Sequence, residues 1–288
     1  AKQLHLTQPA VSKRIANLEA QLGCSLFDRI GRQISLTQAG NALLPKARSI
    51  LQQIQGVVRL MDDISGNITG QLSIATSHHI GIHRLPPILR NYTEQYPQVA
   101  LDLHFLDSEQ IVDEVLKGHY DLAVATLPVA AHLQMVSEPV WRDEMCVVVN
   151  PQHSLAAKSV VSLTDLSQVN AILPDRLTAT YQSVKTIFEQ HKVGLEKHQS
   201  INNLDAIRMM IEVGLGWGVL PKTLVNNSLC TLDLRHGNLK NKDLRHIEFS
   251  RTLGYLHHRQ RSLSKAAMAF IELLAANPRV DESTRDCS

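Results

Sequence analysis

Apolar side chains near the start of the chain recur at spacings of four, three and four residues, at Val11, Ile15, Leu18 and Leu22. This spacing places them on one face of an α-helix and leaves the opposite face polar or basic. Pro9 falls in the first turn, where its missing N–H does no harm, and Thr7 can supply a capping oxygen. The pattern predicts an amphipathic helix over residues 8–22.

The segments on either side of this helix predict a winged helix-turn-helix. Residues 1–6 are predicted to end a preceding helix, and residues 25–37 to form two short strands around a turn at Gly31. The polar face of the second helix suits the major groove of DNA. A hairpin tip with Arg29 and Arg32 suits phosphates or the minor groove. On spacing alone, an ordinary solvated helix is the alternative.

A heptad pattern follows the predicted hairpin. Its six apolar residues alternate at spacings of four and three: Leu43, Ala47, Ile50, Ile54, Val57 and Met61. They predict a long helix, capped by Thr37, whose apolar seam packs against the same helix of a second chain. Pro45 removes one backbone hydrogen bond and can kink this helix. The alternative is a helix that packs on the core of its own domain.

Strand and helix patterns alternate over the rest of the chain, which is typical of a parallel sheet covered by helices. Strands are predicted at residues 71–76, 99–106, 121–126, 145–150, 171–173, 197–201, 217–220 and 251–257. Helices are predicted at residues 83–96, 109–117, 163–168, 180–191, 204–214 and 263–276. The last strand and helix are predicted to return to the first of two units, with crossings near residues 143 and 250. Two crossings create a hinged cleft, and ligands bind at the carboxyl ends of such strands.

The charge distribution supports a DNA partner for the N-terminal segment. The first 60 residues carry eight Lys or Arg and two carboxylates, a formal charge of +6, whereas the remainder carries −4 of the total of +2. A basic segment on an acidic body indicates a polyanion partner for the basic segment alone. We expect the DNA-contacting residues on the outer face of the first helix and at the hairpin tip: Thr7, Gln8, Pro9, Ser12, Lys13, Arg14, Arg29 and Arg32.

Composition argues against several other classes of protein. The four cysteines lie far apart and form no CxxC pair, which disfavours a zinc site or a disulfide framework. No apolar run reaches the length of a membrane span, and no signal peptide precedes the fold. We therefore expect a cytoplasmic protein with no membrane partner.

The run from Leu6 to Gly40 combines these N-terminal features at fixed spacing. Its matching positions are Gln8-Pro9-Ala10, Ser12, Ile15, Leu18-Glu19, Leu22-Gly23, Leu26-Phe27, Arg29, Leu36-Thr37 and Ala39-Gly40. This run closely resembles the winged helix-turn-helix signature of LysR-type transcriptional regulators. The resemblance implies a further helix before this point, so we expect the domain to be N-terminally truncated here. Residues 71–280 resemble the effector-binding domain of the same family, which is similar to type 2 periplasmic binding proteins.

The resemblance implies an α/β effector domain of two subdomains, preceded by an α-helical winged helix-turn-helix and a long linker helix. The expected divisions are the DNA-binding domain at residues 1–37, the dimerisation helix at 38–64, the hinge at 65–70 and the effector-binding domain at 71–288. Within the last, we expect subdomain 1 at residues 71–143 and 251–280, and subdomain 2 at residues 144–250.

Loops that follow predicted strands are expected to line the cleft, because relatives in the family hold a small effector, often a carboxylate, in the corresponding loops. The candidate residues are Ser77, His78, His79, Thr126, Leu127, Thr178 and Thr180. Two of these loops open helices, whose free N–H groups favour an anion. The alternative is that Ser and Thr only cap those helices. No Arg or Lys adjoins Ser77, Thr126 or Thr178, which favours a small, singly charged carboxylate over a phosphorylated metabolite.

Other groupings of residues do not indicate a metal, cofactor or catalytic site. His79 and His83 stand four residues apart, but no nearby Glu or Cys completes a set of zinc ligands. The glycine-rich segment at residues 214–218 follows a helix and precedes a strand, the reverse of a nucleotide-binding loop. No nucleophile turn or pair of catalytic carboxylates is evident. We expect no metal, no cofactor and no enzyme activity.

Together these features predict a ligand-responsive transcription regulator of the LysR type, a homodimer or homotetramer that binds promoter DNA and a small-molecule effector. Effector binding is expected to favour one closure of the cleft and so to change subunit geometry and DNA bending. The main alternative is a two-lobed solute-binding protein or enzyme with an appended DNA-binding-like segment.

Overall fold

The computed structural model of the chain describes residues 7–30, 33–44, 46–47, 50–51, 54, 68–128, 130–238 and 243–277. The chain divides into two compact units, residues 1–58 and residues 59–288. None of the described helices is both long enough and apolar enough to cross a membrane.

The first unit begins with the helix that the apolar spacing predicts. Helix α1 spans Gln8–Leu22, and Gly23 ends it in a left-handed conformation at φ +67°, donating its N–H to the Glu19 carbonyl. Strands β1 (Phe27–Ile30) and β2 (Gln33–Leu36) pair antiparallel, with Phe27 opposite Leu36. The predicted helix bounds and the predicted hairpin are confirmed.

Two details of α1 differ from the expectation. Thr7 occupies the N-cap position, but its side chain makes no capping hydrogen bond to the described backbone of the helix. The apolar face is only partly covered by the described residues, since Leu18 is 37% and Leu22 is 47% exposed. Spacing predicts which residues share a face, whereas burial depends on what packs against that face.

Polar side chains fasten α1 to the hairpin and to the helix that follows. The Glu19 carboxylate accepts hydrogen bonds from the backbone N–H groups of Leu26 and Phe27, at 2.6 and 3.2 Å. The Thr37 hydroxyl donates to the Ser25 carbonyl at 2.7 Å and accepts from the Gly40 N–H at 3.0 Å. Thr37 therefore caps the next helix, as its sequence position predicts.

The helical segment after Thr37 exposes apolar side chains. Its described residues, 38–44, 46–47, 50–51 and 54, are all helical. Leu43 and Ala47 are half-buried, whereas Ile50 and Ile54 are each 56% exposed. Val57 and Met61, the last two residues of the predicted heptad seam, lie outside the described residues.

The second unit is built on one nine-stranded mixed sheet. Its strands are β3 (Gly70–Thr76), β4 (Val99–Phe105), β5 (Leu122–Thr126), β6 (Met135–Val149), β7 (Ala171–Leu173), β8 (His198–Ser200), β9 (Trp217–Pro221), β10 (Cys230–Thr231) and β13 (Phe249–His258). Their order is β4-β3-β5-β13-β6-β9-β7-β8, and β10 pairs with β6. Strands β11 (Arg235–Asn238) and β12 (Asp243–His246) form a separate hairpin.

Helices connect the strands of this sheet. They are α2 (His78–His83), α3 (Pro86–Gln95), α4 (Ser108–Leu116), α5 (Leu163–Ser167), α6 (Ala179–Gln190), α7 (Leu204–Glu212) and α8 (Lys265–Ala276). Short 3₁₀ turns at Ser154–Ala157 and Lys222–Leu224 complete the connections.

Two sequence predictions for this unit were wrong in extent. The helix predicted at residues 83–96 begins later, at Pro86, because proline is tolerated in the first turn of a helix but cannot continue one, and the separate short helix α2, which precedes it, was not predicted. The strand predicted at residues 145–150 begins ten residues earlier, at Met135. Its first part is rich in charged residues, which hid a strand that pairs with β13.

Strands β6 and β13 run through both halves of the sheet. Asp143 of β6 lies opposite Arg251 of β13 in an antiparallel ladder. On one side of this pair the strands share a core with α3 and α8, around Tyr92, Trp141 and Phe270. On the other side the core is built around Trp217 and Phe188. These two hydrophobic cores define an α/β unit of two subdomains joined by two crossing strands.

Candidate functional site

A cavity lies between the two subdomains, at the carboxyl ends of their parallel strands. Its residues from the first subdomain follow β3, β4 and β5, and its residues from the second follow β7 and β8. Arg251, from the crossing strand β13, also borders it. The cavity and the open solvent space at its mouth together occupy about 680 Å³. Its position follows from the topology, because the carboxyl ends of parallel strands meet at one edge of a sheet.

Six of the seven candidate effector residues border this cavity. They come from loops separated by up to a hundred residues of sequence: Ser77, His78, His79, Thr126, Thr178 and Thr180. The seventh, Leu127, lies away from the cavity. Its backbone N–H donates to the Thr252 carbonyl, and its side chain packs beside the buried cluster that contains Ile111 and Val115.

The hydroxyl groups at the starts of α2 and α6 differ in their bonding. Thr178 donates to the Asp175 carbonyl at 2.7 Å and accepts from the Tyr181 N–H at 3.1 Å, so it acts as a helix cap. Ser77 occupies the N-cap of α2, but its hydroxyl makes no hydrogen bond to any described residue. Ser77 therefore retains the capacity to donate to and accept from a ligand, whereas Thr178 has its proton committed.

A buried charge cluster lies behind the cavity, where β6 and β13 cross. The Asp143 carboxylate is 1% exposed and accepts from Arg84 Nη2 at 3.2 Å and from Arg251 Nε at 2.8 Å. His79 Nε2 lies 4.0 Å from the same carboxylate. With two guanidinium groups against one carboxylate, the cluster has a net positive charge, and Arg251 is its guanidinium that borders the cavity.

His79 is a buried, neutral imidazole within this cluster. Burial, followed by the charge of Arg251, lowers its pKa from 6.5 to about 3, although Asp143 acts in the opposite direction. Both ring nitrogens are buried without a hydrogen-bond partner among the described residues. Because an unsatisfied buried polar group is costly, this ring is suited to receive a partner from the cavity that it borders.

Acidic and amide side chains complete the lining of the cavity. Asp107 is the N-cap residue of α4 and Glu109 lies in its first turn, and Asn202 and Asn203 lie before α7. Burial and the neighbouring carboxylates Asp107 and Asp175 raise the pKa of Glu109, whereas a hydrogen bond from its own backbone N–H and the charge of Arg251 lower it. Asp205, the remaining acidic residue in the lining, pairs with Arg208 at 3.5 Å.

Sequence reasoning missed the charged residues of this site. Arg251 lies 174 residues after Ser77 and enters the site only because β13 returns to the middle of the sheet. Asp107 and Glu109 stand at the start of a helix that directly follows a strand. Ser77 was predicted from the same position in the loop after β3, so the same criterion would have identified these two residues. Arg176, the basic residue nearest to Thr178 in sequence, is exposed and does not border the cavity.

The described residues contain no cluster of three or more His, Cys, Asp or Glu side chains placed to hold a metal ion. His79 and His83 are adjacent on α2, with ring centroids 4.9 Å apart. The His79 and His83 side chains contact each other through their rings, at the edge of the buried charge cluster.

The candidate DNA-contacting residues of α1 lie on its accessible surface. Thr7, Gln8, Pro9, Lys13 and Arg14 are exposed, and Ser12 is half-buried. Gln8 Nε2 donates to Ser12 Oγ at 3.4 Å, so these two polar side chains form one surface patch. The Arg29 side chain and the whole of Arg32 lie outside the part of the chain that the structure describes.

Comparison with known protein families matches both units. The family described as "Bacterial regulatory helix-turn-helix protein, lysR family" matches residues 1–41, and the family described as "LysR substrate binding domain" matches residues 65–279. Among curated proteins, the uncharacterized HTH-type transcriptional regulator YeiE of Escherichia coli (strain K12) is 30% identical over 269 residues, covering 93% of this chain and 88% of YeiE.

Solved structures share the fold of the second unit. The regulatory domain of CcmR from Synechocystis PCC6803, in complex with 2-PG, has a TM-score of 0.62 at 22% identity and covers 74% of this chain and 99% of that one. The effector-binding domain of QuiR, in complex with shikimate, has a TM-score of 0.62 at 16% identity and covers 73% of this chain and 97% of that one.

The relatives are named as transcriptional regulators rather than as enzymes. The two family matches correspond to the two parts of this chain, a helix-turn-helix at residues 1–41 and a substrate-binding domain at residues 65–279. The chain therefore belongs to the LysR family of bacterial helix-turn-helix transcriptional regulators, with a DNA-binding unit at its N-terminus and an effector-binding domain after it.

Proposed function

We propose that this regulator binds promoter DNA through α1 and the β1–β2 hairpin, and that a small carboxylate in the cavity between the subdomains controls its action. The observation that supports the proposal most directly is the set of unsatisfied donors at the cavity. The Ser77 hydroxyl, the His79 ring and the two Nη atoms of Arg251 make no hydrogen bond to any described residue.

A carboxylate suits these donors for two reasons. The Arg251 guanidinium uses only Nε on Asp143, so its Nη atoms can bind a planar carboxylate. The buried cluster offers one guanidinium at the cavity, and a phosphorylated ligand would normally recruit several basic side chains. QuiR, in complex with shikimate, is a relative with a carboxylate effector, whereas CcmR is in complex with 2-PG. The contacts proposed here are Ser77, His78, His79, Thr126, Thr178 and Thr180, together with Arg251.

The proposed DNA interface consists of exposed polar and basic side chains. Gln8 and Ser12 are placed to contact base edges, whereas Lys13 and Arg14 are placed to contact phosphates. Thr7, Pro9, Arg29 and Arg32 remain candidate contacts from the sequence. The positive charge of the N-terminal segment supports this assignment, because phosphate neutralisation supplies much of the affinity for DNA.

The proposed assembly is a homodimer or homotetramer through the helical segment after Thr37. Ile50, Leu51 and Ile54 are 56%, 62% and 56% exposed. Apolar side chains at heptad spacing on one exposed face favour pairing with the same helix of another chain. We infer an interface that comprises Leu43, Ala47, Ile50, Ile54, Val57 and Met61.

The proposed domain division follows the same reasoning. We assign residues 1–37 to the DNA-binding domain, 38–64 to the dimerisation helix, 65–70 to the hinge and 71–288 to the effector-binding domain. The position of Asp143 and Arg251 between the two hydrophobic cores supports the division into subdomains near these residues. A ligand that contacts Arg251 would act directly on a crossing strand, so its binding would favour one relative position of the subdomains.

A thermal-shift screen of small carboxylates and sugar phosphates on the full chain tests the effector proposal. We expect a carboxylate to raise the melting temperature, and Ser77→Ala to remove most of that increase. Thr178→Ser, which keeps the helix cap, and Ser228→Ala, at an exposed site away from the cavity, should retain it. Stabilisation by sugar phosphates alone, undiminished in Ser77→Ala, would contradict the proposal.

A further inference from the structure

The cavity presents both signs of charge to whatever it binds. Arg251 supplies a guanidinium from β13, and Asp107 and Glu109 supply carboxylates from the start of α4. All three side chains border the same cavity as Ser77 and His79. A ligand with a carboxylate alone would satisfy Arg251 while lying close to two groups of its own sign, which is unfavourable.

The basic side of the cavity is built for an acceptor. The His79 side chain is 5% exposed and has no hydrogen-bond partner for either ring nitrogen among the described residues. Arg251, whose side chain is 11% exposed, has its Nε fixed by Asp143. Because a buried partner already holds the guanidinium in place, the side chain loses little further conformational freedom when a ligand binds. This preorganisation favours binding of a carboxylate.

The two carboxylates on the acidic side of the cavity, those of Asp107 and Glu109, have no side-chain partner among the described residues that would explain their position. Asp107 is the N-cap residue of α4, yet its carboxylate makes no capping hydrogen bond to the described backbone. Glu109 is half-buried and forms no ion pair with any described Lys, Arg or His. The dipole of α4 favours a negative charge here, and the Glu109 carboxylate accepts a hydrogen bond from its own backbone N–H, but neither carboxylate has a side-chain hydrogen-bond partner among the described residues. Asp205 differs from them, since Arg208 already pairs with it.

We propose that the effector is a zwitterion of the α-amino acid type, whose carboxylate binds Arg251, His79 and Ser77 and whose ammonium group binds Asp107 and Glu109. This inference rests on the proposed function, since it places the ligand in the same cavity and adds one charged group to it. An ammonium group has three donors and no acceptor, which matches the two carboxylates in both charge and hydrogen bonding. The ligand would bridge β13 and the start of α4.

The test compares each amino acid with the carboxylate that lacks only its amino group. Calorimetric titrations of the full chain would use alanine and propionate, aspartate and succinate, phenylalanine and 3-phenylpropionate, and the remaining amino acids with their matched acids. We expect at least one amino acid to bind about tenfold or more tightly than its matched acid, the difference that a charge-assisted hydrogen bond provides.

Glu109→Gln should remove most of that preference, and the matched acid should bind at least as tightly as it binds the native chain, because the substitution removes a charge of the same sign as the ligand carboxylate. The substitution keeps the shape of the side chain and removes only its charge, so folding should be unaffected. Asp113→Asn, an exposed position on the same helix that does not border the cavity, should leave the preference intact.

The possible outcomes distinguish a failure of the zwitterion proposal from a failure of the proposed carboxylate site. If the matched acids bind as tightly as the amino acids and Ser77→Ala abolishes this binding, the zwitterion proposal is wrong, but the proposed carboxylate site is supported. A preference for amino acids that persists in Glu109→Gln would also overturn it. Binding that is insensitive to Ser77→Ala, or no binding by any compound of the panel, would overturn the zwitterion and count against the carboxylate proposal itself.

Discussion

Arg251 donates from Nε to Asp143 Oδ2 at 2.8 Å, and the two residues face one another on the strands that cross between the subdomains. The same Asp143 carboxylate accepts from Arg84. One buried carboxylate therefore holds two guanidinium groups, one of which borders the cavity. This arrangement joins the wall of the candidate effector site to the point where the subdomains meet.

Removing the charge of Asp143 should destabilise the effector-binding domain. In Asp143→Asn the guanidinium groups of Arg84 and Arg251 would remain buried without a carboxylate, and breaking a buried pair in this way costs about 3–5 kcal/mol. Urea denaturation of the full chain measures the loss. The exposed Asp113→Asn change should stay within about 0.5 kcal/mol of the native chain, as surface substitutions usually do. Equal stability of the two variants would show that Asp143 is not structurally important.

The low pKa of His79 predicts a specific dependence of stability on pH. The unfolded state takes up a proton as the pH falls below 6.5, whereas the folded state excludes it until the pH reaches about 3. The free energy of unfolding should therefore decrease between these two pH values, because the unfolded state binds more protons.

The variant His79→Gln should reduce this decrease. Between pH 7 and pH 4 the difference from the native chain should amount to roughly 3 kcal/mol, given about 1.4 kcal/mol per unit of pKa shift. Denaturation curves across this range provide the measurement, and the exposed His83→Gln variant on the same helix serves as the control. If His79→Gln and the native chain lose stability in parallel, the ring is not held neutral by its surroundings.

Substitutions on α1 should separate base recognition from phosphate contact. Gln8→Ala should relax sequence preference by about 1–3 kcal/mol, whereas Lys13→Ala should weaken binding to all duplexes and lower the salt dependence. The measurement is anisotropy, at several salt concentrations, of a duplex enriched from a random pool and of its scrambled version. Gln21→Ala, exposed near the other end of α1, is the matched control. Equal losses on both duplexes for Gln8→Ala would remove its assignment to base recognition.

Charge in the proposed heptad seam should separate the subunits. Ile50→Asp or Ile54→Asp would bury an unpaired carboxylate in the interface, which costs more than the contact provides. Sedimentation velocity should show a smaller particle for both variants. Asn41→Asp, on an exposed face of the same helical segment, should leave the mass unchanged. An unchanged mass in the Ile50 and Ile54 variants would place the interface elsewhere.

Local sequence signals predicted the elements that local chemistry determines. The bounds of α1 follow from Pro9, the apolar spacing and Gly23, which lie within the element itself. The loops after β3 and β7 were found because each leads into a helix through a Ser or Thr, and Thr126 was found because it ends a short buried strand, features that are visible in the local sequence. Six of the candidate residues consequently border one cavity.

Features that depend on distant parts of the chain were missed. Arg251 enters the site because β13 lies between β5 and β6, and no local pattern around residue 251 encodes that order. The sequence shows that no Arg or Lys adjoins Ser77, Thr126 or Thr178, but it does not show that Arg251 borders the same cavity. The extent of β6 was missed because charged residues interrupt its apolar pattern, and the partners that allow Asp143 to be buried there, Arg251 of β13 and Arg84 directly after α2, are distant in sequence.

The most direct test of the account measures the response of DNA binding to the effector. Fluorescence anisotropy would follow the full chain on its enriched duplex, with and without the compound that the screens identify. The account predicts that the compound changes the affinity for this duplex about fivefold or more, a typical coupling between two sites. We further expect that the compound does not change the affinity of the Ser77→Ala variant for the duplex. In the absence of the compound, this variant should bind the duplex as tightly as the native chain does. A Ser77→Ala variant that responds like the native chain would contradict the account.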